Sequence, residues 1–171
     1  MSRRPRGDPS PHLRAVTNVA DGGGPPGDLF AALDAALAAV LGHKLFTAMA
    51  YHEATGESER VYTNQPAAYP VGGRKAMNPT PWAKQVIQER RPYLGVTAAD
   101  VKAVFYDWEL IAALGCGSVL NLPVGRGGRL LGTLNLLHEE HWYDETDIPT
   151  GEAFAALAAP AFSSRPRFNR C

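Results

Sequence analysis

Two asparagines inside apolar runs, a cysteine between glycines and two cations after a Gly-Gly pair are the residues of this chain best placed to do chemistry. Asn121 lies in the run Ser118-Val119-Leu120-Asn121-Leu122-Pro123-Val124, and Asn135 in Leu130-Leu131-Gly132-Thr133-Leu134-Asn135-Leu136-Leu137. Burying an amide without a partner costs about 1–3 kcal/mol. Each must therefore bond to the protein or face a cavity, and Thr133 offers a further hydroxyl on the second run. Arg74 and Lys75 follow Gly72-Gly73, which let the backbone bend toward a ligand. Their cations suit a carboxylate or a phosphate. Tyr69 begins the same stretch. Tyr106, Trp108 and Glu109 form a second cluster, in which the aromatic rings can wall a pocket and Asp107 reads as a helix cap.

Cys116 has no base and no second thiol beside it in sequence, so its structural reading, as a buried thiol, leads. His138 and His141 make a His-x-x-His pair, a weak metal signal on its own. The candidate ligand-binding set is Tyr69, Arg74, Lys75, Tyr106, Trp108, Glu109, Cys116, Asn121, Thr133 and Asn135. No catalytic residue and no metal ligand is assigned, and no cofactor is named.

The elements that must position these residues follow from periodicity and turn chemistry. Residues 28–41 carry Leu29, Phe30, Leu33, Leu37, Val40 and Leu41 at helical spacing, with Asp28 as cap and Gly42 as stop. Residues 45–52 and 58–64 read as a strand pair around Thr55-Gly56, with Val61 and Thr63 on one face and Arg60 and Tyr62 on the other. Residues 65–79 read as a long loop, a length that is commonly functional. Thr80 caps a helix with Pro81 at its first position and Trp82, Val86 and Ile87 as its apolar stripe. A short strand at 93–96 precedes helices at 98–105 and 108–114, the first opened by a Thr97–Asp100 capping box. Two strands joined at Gly125-Arg126-Gly127-Gly128 come next, then a last helix over 152–162. A turn centred on Gly127 pairs Asn121 and Asn135 on one face. One centred between Gly127 and Gly128 does not.

This order gives an α+β fold, an antiparallel sheet with helices on both faces. The 171 residues and 45% apolar content suit one domain. Residues 1–27, rich in Arg, Pro and Gly, read as a flexible leader, and the Arg6-Gly7-Asp8 tripeptide within it as coincidence. Residues 163–171 read as a basic flexible tail ending in Cys171. Net charge is zero, but the centre is mildly acidic, with ten Lys/Arg against fifteen Asp/Glu over residues 28–162. That balance argues against a nucleic-acid surface. No apolar run reaches the roughly 18 residues of a membrane helix, and no secretory signal precedes the domain. A cytoplasmic location without membrane contact is the expectation.

Residues 28–162 resemble a GAF domain. The resemblance rests on small residues at 115–118, a strand ending in Pro123, the glycine turn, a strand opening with Gly132, and Trp142-Tyr143-Asp144-Glu145-Thr146-Asp147 before the last helix. It implies a GAF-like sheet that binds a small molecule on one face, under helices and the 65–79 loop. Terminal helices on the other face often pair subunits in that family. Cys116 resembles in position the active cysteine of the free methionine-R-sulfoxide reductases, which are GAF enzymes. Those enzymes have resolving cysteines upstream and carboxylates in the pocket. Here no cysteine precedes Cys116, and the nearest matching positions hold Asn121, Asn135 and Leu137. The cyclic-nucleotide signature of the family is absent, and His43 and His52 do not match its bilin motifs.

The resemblance implies a stand-alone sensor or regulatory module that binds a small polar or anionic metabolite and is not an enzyme. The alternative is a thiol reductase acting on a free methionine sulfoxide-like substrate through Cys116. The length leaves no room for an attached output domain, so output is expected to pass through a partner protein or through a homodimer built on helix 28–41 and the last helix.

Overall fold

The computed structural model describes residues 6–163. The expected basic tail, Cys171 included, lies outside the described residues apart from Ser163. Helices α1 (Pro9–Asp21) and α2 (Pro26–Val40) lead into β1 (Leu45–His52), β2 (Glu57–Thr63) and β3 (Arg74–Ala76). A single turn of helix, α3 (Pro81–Ala83), runs on into a π-helical turn at Lys84–Gln88, followed by β4 (Tyr93–Gly95), α4 (Ala98–Val104) and α5 (Trp108–Ala113). The long strands β5 (Ser118–Arg126) and β6 (Arg129–His138) precede α6 (Asp147–Ala155) and α7 (Ala159–Ser163).

The strands form one sheet in the order β3-β2-β1-β6-β5-β4, and every neighbouring pair is antiparallel. The main core lies between one sheet face and the terminal helices. Phe46, Ala48, Leu120, Leu122, Leu134 and Leu136 meet Leu29, Phe30, Leu33, Leu37 and Val40 of α2 and Phe154 of α6 there. The other face is covered by α3, α4 and α5, with a smaller core of Leu45, Tyr69, Val101, Ile111, Cys116, Val119 and Leu137.

Residues 1–5 of the expected flexible leader lie outside the described residues, and the described part is instead folded, with a helix over Pro9–Asp21. Asp8 caps α1 by accepting from the Ser10 amide, and Pro9 opens the helix, where a missing N–H costs nothing. Val16 is fully buried and α1 packs on α2. Arg and Pro dominate the composition of this stretch, yet the prolines sit in the first turn and leave the apolar face of 13–20 intact. Arg6 holds its start. Its guanidinium donates to both oxygens of Asp147, at 3.1 and 3.2 Å, and to the carbonyls of Leu41 and Trp142. Asp147 is 1% exposed. The Arg-Gly-Asp sequence thus has a structural use: Arg6 clamps, Gly7 passes close to the Ala39 carbonyl, and Asp8 caps.

Three smaller differences have local causes. The last helix divides into α6 and α7, with Pro160 in the first turn of α7. The 65–79 loop contains β3, so Arg74 and Lys75 are strand residues paired with Glu59 and Ser58. The Thr80-capped helix keeps its expected start, with the Thr80 hydroxyl accepting from the Ala83 amide, but widens to a π turn over Val86 and Ile87. The Thr97–Asp100 capping box is present with both of its bonds.

Two bulges set which side chains reach the face under α3 to α5. In the β5–β6 hairpin, Gly127 and Gly128 both have positive φ, +59° and +78°, and Arg126 pairs with Arg129. This is the two-residue turn that, without interruption, would put Asn121 and Asn135 on opposite faces. Leu131 is an extra residue in β6, so pairing passes from Gly125–Leu130 to Val124–Gly132. The one-residue slip brings Asn121 opposite Asn135. In β2, Val61 is the extra residue: Tyr62 pairs with Ala48, but Arg60 pairs with Met49. Arg60 and Tyr62 therefore face opposite sides of the sheet, contrary to simple alternation. Gly132 closes the arrangement, since a Cβ there would collide with the Met49 carbonyl and the Phe162 ring.

Candidate ligand-binding site

A cavity of about 540 Å³ lies between the sheet and the α3–α5 cover. Its floor is Thr47, Met49 and Tyr51 of β1, Ser58 and Arg60 of β2, Asn121 of β5, and Thr133 and Asn135 of β6. Tyr69, Lys75, Met77, Trp82, Ile87, Val104, Phe105, Tyr106 and Asp107 form its walls and roof. The volume is that of a pocket for a small organic ligand, and apolar walls with a few placed polar groups are what such sites use.

The asparagines form a closed ladder. Trp82 Nε1 donates to Asn121 Oδ1 at 3.0 Å. Asn121 Nδ2 donates to Asn135 Oδ1 at 2.8 Å, and Asn135 Nδ2 donates to the Thr47 hydroxyl at 3.2 Å. Both asparagines are nearly fully buried, 2% and 7% exposed. Each amide oxygen and nitrogen has a protein partner, so the ladder ties β1, β6, β5 and the Trp82 helix into a rigid floor. Trp82, read from its spacing as a core residue, is a cavity wall.

The charged groups stand at the β2–β3 end. Arg60 lays its guanidinium over the Tyr69 ring, 4.7 Å from the centroid, and donates through Nη1 to the Pro70 carbonyl at 3.0 Å. Its Nε is buried with no hydrogen-bond partner. Lys75 places its ammonium 4.0 Å from the centre of the Tyr106 ring. Desolvation, helped by repulsion from Arg60, lowers the Lys75 pKa from its ordinary value, against the pull of Asp107. Asp107 accepts from the Tyr69 hydroxyl at 2.6 Å. Burial first, and this bond second, push the Tyr69 pKa far above the phenol range.

Among the expected site residues, Tyr69, Lys75, Tyr106, Asn121, Thr133 and Asn135 line this cavity. Four do not. Arg74 neighbours Lys75 on a strand, so alternation sends it to the opposite face, where it binds Glu59 at 2.9 Å. Glu109 is exposed in the first turn of α5. Trp108 packs into the smaller core and carries the Lys102 ammonium over its ring. Cys116 is buried in that core too, and its Sγ approaches the Leu114 carbonyl at 4.0 Å. Burial raises its thiol to about 11, against a lowering pull from Lys44. Asp107, expected to cap α5, makes no cap bond and serves Tyr69 instead.

The residue missed by sequence reasoning is Arg60. Alternation placed it away from Thr63, and only the Val61 bulge turns it into the cavity. Its local sequence holds no signal of that bulge. The histidines stay outside the site. His138 stacks on Trp142 at 3.7 Å, and burial there lowers its pKa to about 4. His52 meets Glu59 at 3.2 Å. Among the described residues no three His, Cys, Asp or Glu side chains gather as a metal site. No helix among them is long and apolar enough to cross a membrane.

Comparison with known proteins agrees with this architecture. The family model for the GAF domain matches residues 28–163. The sequence matches no curated protein. The phycoerythrobilin-bound GAF domain from a cyanobacterial phytochrome superposes with a TM-score of 0.70 at 17% identity, over 91% of this chain and 94% of that one. The GAF domain from an Acinetobacter phosphoenolpyruvate-protein phosphotransferase gives 0.70 at 12% identity, over 90% and 92%. That of a two-component sensor histidine kinase from Bacillus halodurans gives 0.60 at 12% identity, over 78% and 92%. At these identities the likeness is one of fold. With the family match spanning most of the chain and the fold shared with these structures, the chain belongs to the GAF domain family.

Proposed function

We propose that this GAF domain is a sensor or regulatory module that binds a small polar or anionic metabolite in the cavity over the Asn121–Asn135 ladder. The observation that carries the reading is the cavity itself: about 540 Å³, floored by a satisfied polar ladder and bearing a buried, unpartnered Arg60 Nε. A packed core leaves no such volume. One solved structure of similar fold is a phycoerythrobilin-bound GAF domain and another is the GAF domain of a sensor histidine kinase, which fits a module of this kind.

Cys116 is proposed as a structural thiol. Its place outside the cavity and its raised pKa speak against a nucleophile. Self-association is proposed through α2, whose Ala31, Ala35 and Ala38 are exposed while its large residues are spent on the core. The domain is proposed to act in the cytoplasm, away from membrane and nucleic acid, with its signal passed to a partner protein.

The test is a thermal-shift metabolite screen on the wild type and on Val104→Trp, which fills the cavity from its roof. A ligand at 100 times its Kd stabilises by about 2.7 kcal/mol. Hits that shift the wild type and spare the filled variant support the reading. A folded wild type that responds to no small molecule overturns it.

A further inference from the structure

We infer that the ligand carries a single carboxylate on an apolar body, and that Arg60 and Lys75 receive the carboxylate. The inference rests on the cavity being a ligand site and names what that site takes.

Charge balance comes first. The ionised side chains lining the cavity are Arg60, Lys75 and Asp107, two positive and one negative, so one positive charge is in surplus. Asp107 is already engaged by the Tyr69 hydroxyl. The two cations rest on aromatic faces, Arg60 on Tyr69 and Lys75 on Tyr106. A ring face orients a cation without neutralising it. The Arg60 Nε is buried with no hydrogen-bond partner, and a buried donor on a charged group is the costliest kind to leave unmade. One carboxylate against the Arg60 guanidinium and the Lys75 ammonium balances the surplus charge, whereas a phosphate dianion brings a second negative charge beside Asp107.

Shape comes second. Trp82 and Phe105 meet edge to face at 6.2 Å, and with Ile87 and Val104 they make the roof apolar. The Trp82 N–H is spent on Asn121, so the indole offers the cavity its ring and not its donor. The amide ladder below is closed on itself. The cavity therefore has its charges at one end, the Thr47 and Thr133 hydroxyls in its floor and an apolar roof, which suits an amphipathic monoanion better than a polyphosphate.

The experiment titrates the full chain calorimetrically with a panel of aryl bodies, each as its carboxylate, its primary amide and its amine, with phenyl phosphate alongside. Carboxylates are expected to bind about tenfold or more tighter than their matched amides, the fold-change of one charged hydrogen bond, with no binding of the amines. Arg60→Met, checked for folding by circular dichroism, should erase the carboxylate preference, and Lys75→Met should reduce it. Arg74→Met should leave it unchanged. If amides or amines bind as well as carboxylates, the inference falls while the ligand site stands. Tighter binding of phenyl phosphate removes the single-charge argument. If no member of the panel binds the folded wild type, the inference falls, while the ligand-site reading stands or falls with the metabolite screen.

Discussion

Arg60→Met separates a binding arginine from a structural one through stability alone. In the empty protein the substitution removes the Nη1 bond to the Pro70 carbonyl, which is exposed and contributes about 1 kcal/mol. It also removes the contact with the Tyr69 ring, worth roughly 0.5–1 kcal/mol. Against these losses it relieves a buried Nε without a partner, a strain of about 1–3 kcal/mol. Methionine keeps much of the stem's apolar packing. The sum lies within about 1 kcal/mol of zero, so the midpoint of thermal unfolding should move by no more than about 2–4 °C in a chain of this size. Guanidinium unfolding of wild type and variant measures the balance directly. A residue kept for the fold would show a loss of about 3 kcal/mol or more, and that result would refute the assignment of Arg60 to the ligand. A near-zero change with lost binding is the signature of a site that trades stability for function.

Further outcomes are expected elsewhere. Arg6→Ala should cost about 1.5–3 kcal/mol, because it removes charged hydrogen bonds to the buried Asp147 carboxylate, which keeps the Asp144 amide; a change within 0.5 kcal/mol, measured by denaturant unfolding, would return residues 6–21 to a solvated leader. Cys116 should resist iodoacetamide in the native protein at neutral pH, since burial holds it as a thiol at about 11, and rapid labelling or measurable methionine sulfoxide reduction would contradict its structural role. Light scattering should report a homodimer that Ala35→Arg dissociates, and a strict monomer at high concentration would dispose of the α2 interface.

The sequence carried the fold well because its signals were local. Caps at Thr80 and Thr97, the stop at Gly42, the glycine turn and the Trp142–Asp147 segment each act within a few residues, and each stands where its chemistry put it. That segment works by tying down the end of α2: Trp142 Nε1 donates to the Leu41 carbonyl and the Tyr143 hydroxyl to that of Gly42. The site was less legible because two bulges decide it. Leu131 and Val61 each insert one residue into a ladder, and alternation counts residues without seeing which one is skipped. One insertion brings Asn121 and Asn135 together, and the other turns Arg60 inward. Arg74 lies outside the cavity for the converse reason: the 65–79 loop holds a strand, and strand neighbours face opposite ways. The first helix was hidden by composition, since prolines count toward disorder but are harmless in a first turn.

The most direct test of the account is a crystal structure of the protein with the best carboxylate from the titration bound. The ligand is expected in the cavity over the Asn121–Asn135 ladder, with its carboxylate within hydrogen-bond distance of the Arg60 guanidinium and its apolar body under Trp82 and Phe105. A ligand seated elsewhere on the chain, or a cavity closed by Tyr106 and Lys75 while the ligand lies outside it, would contradict the account.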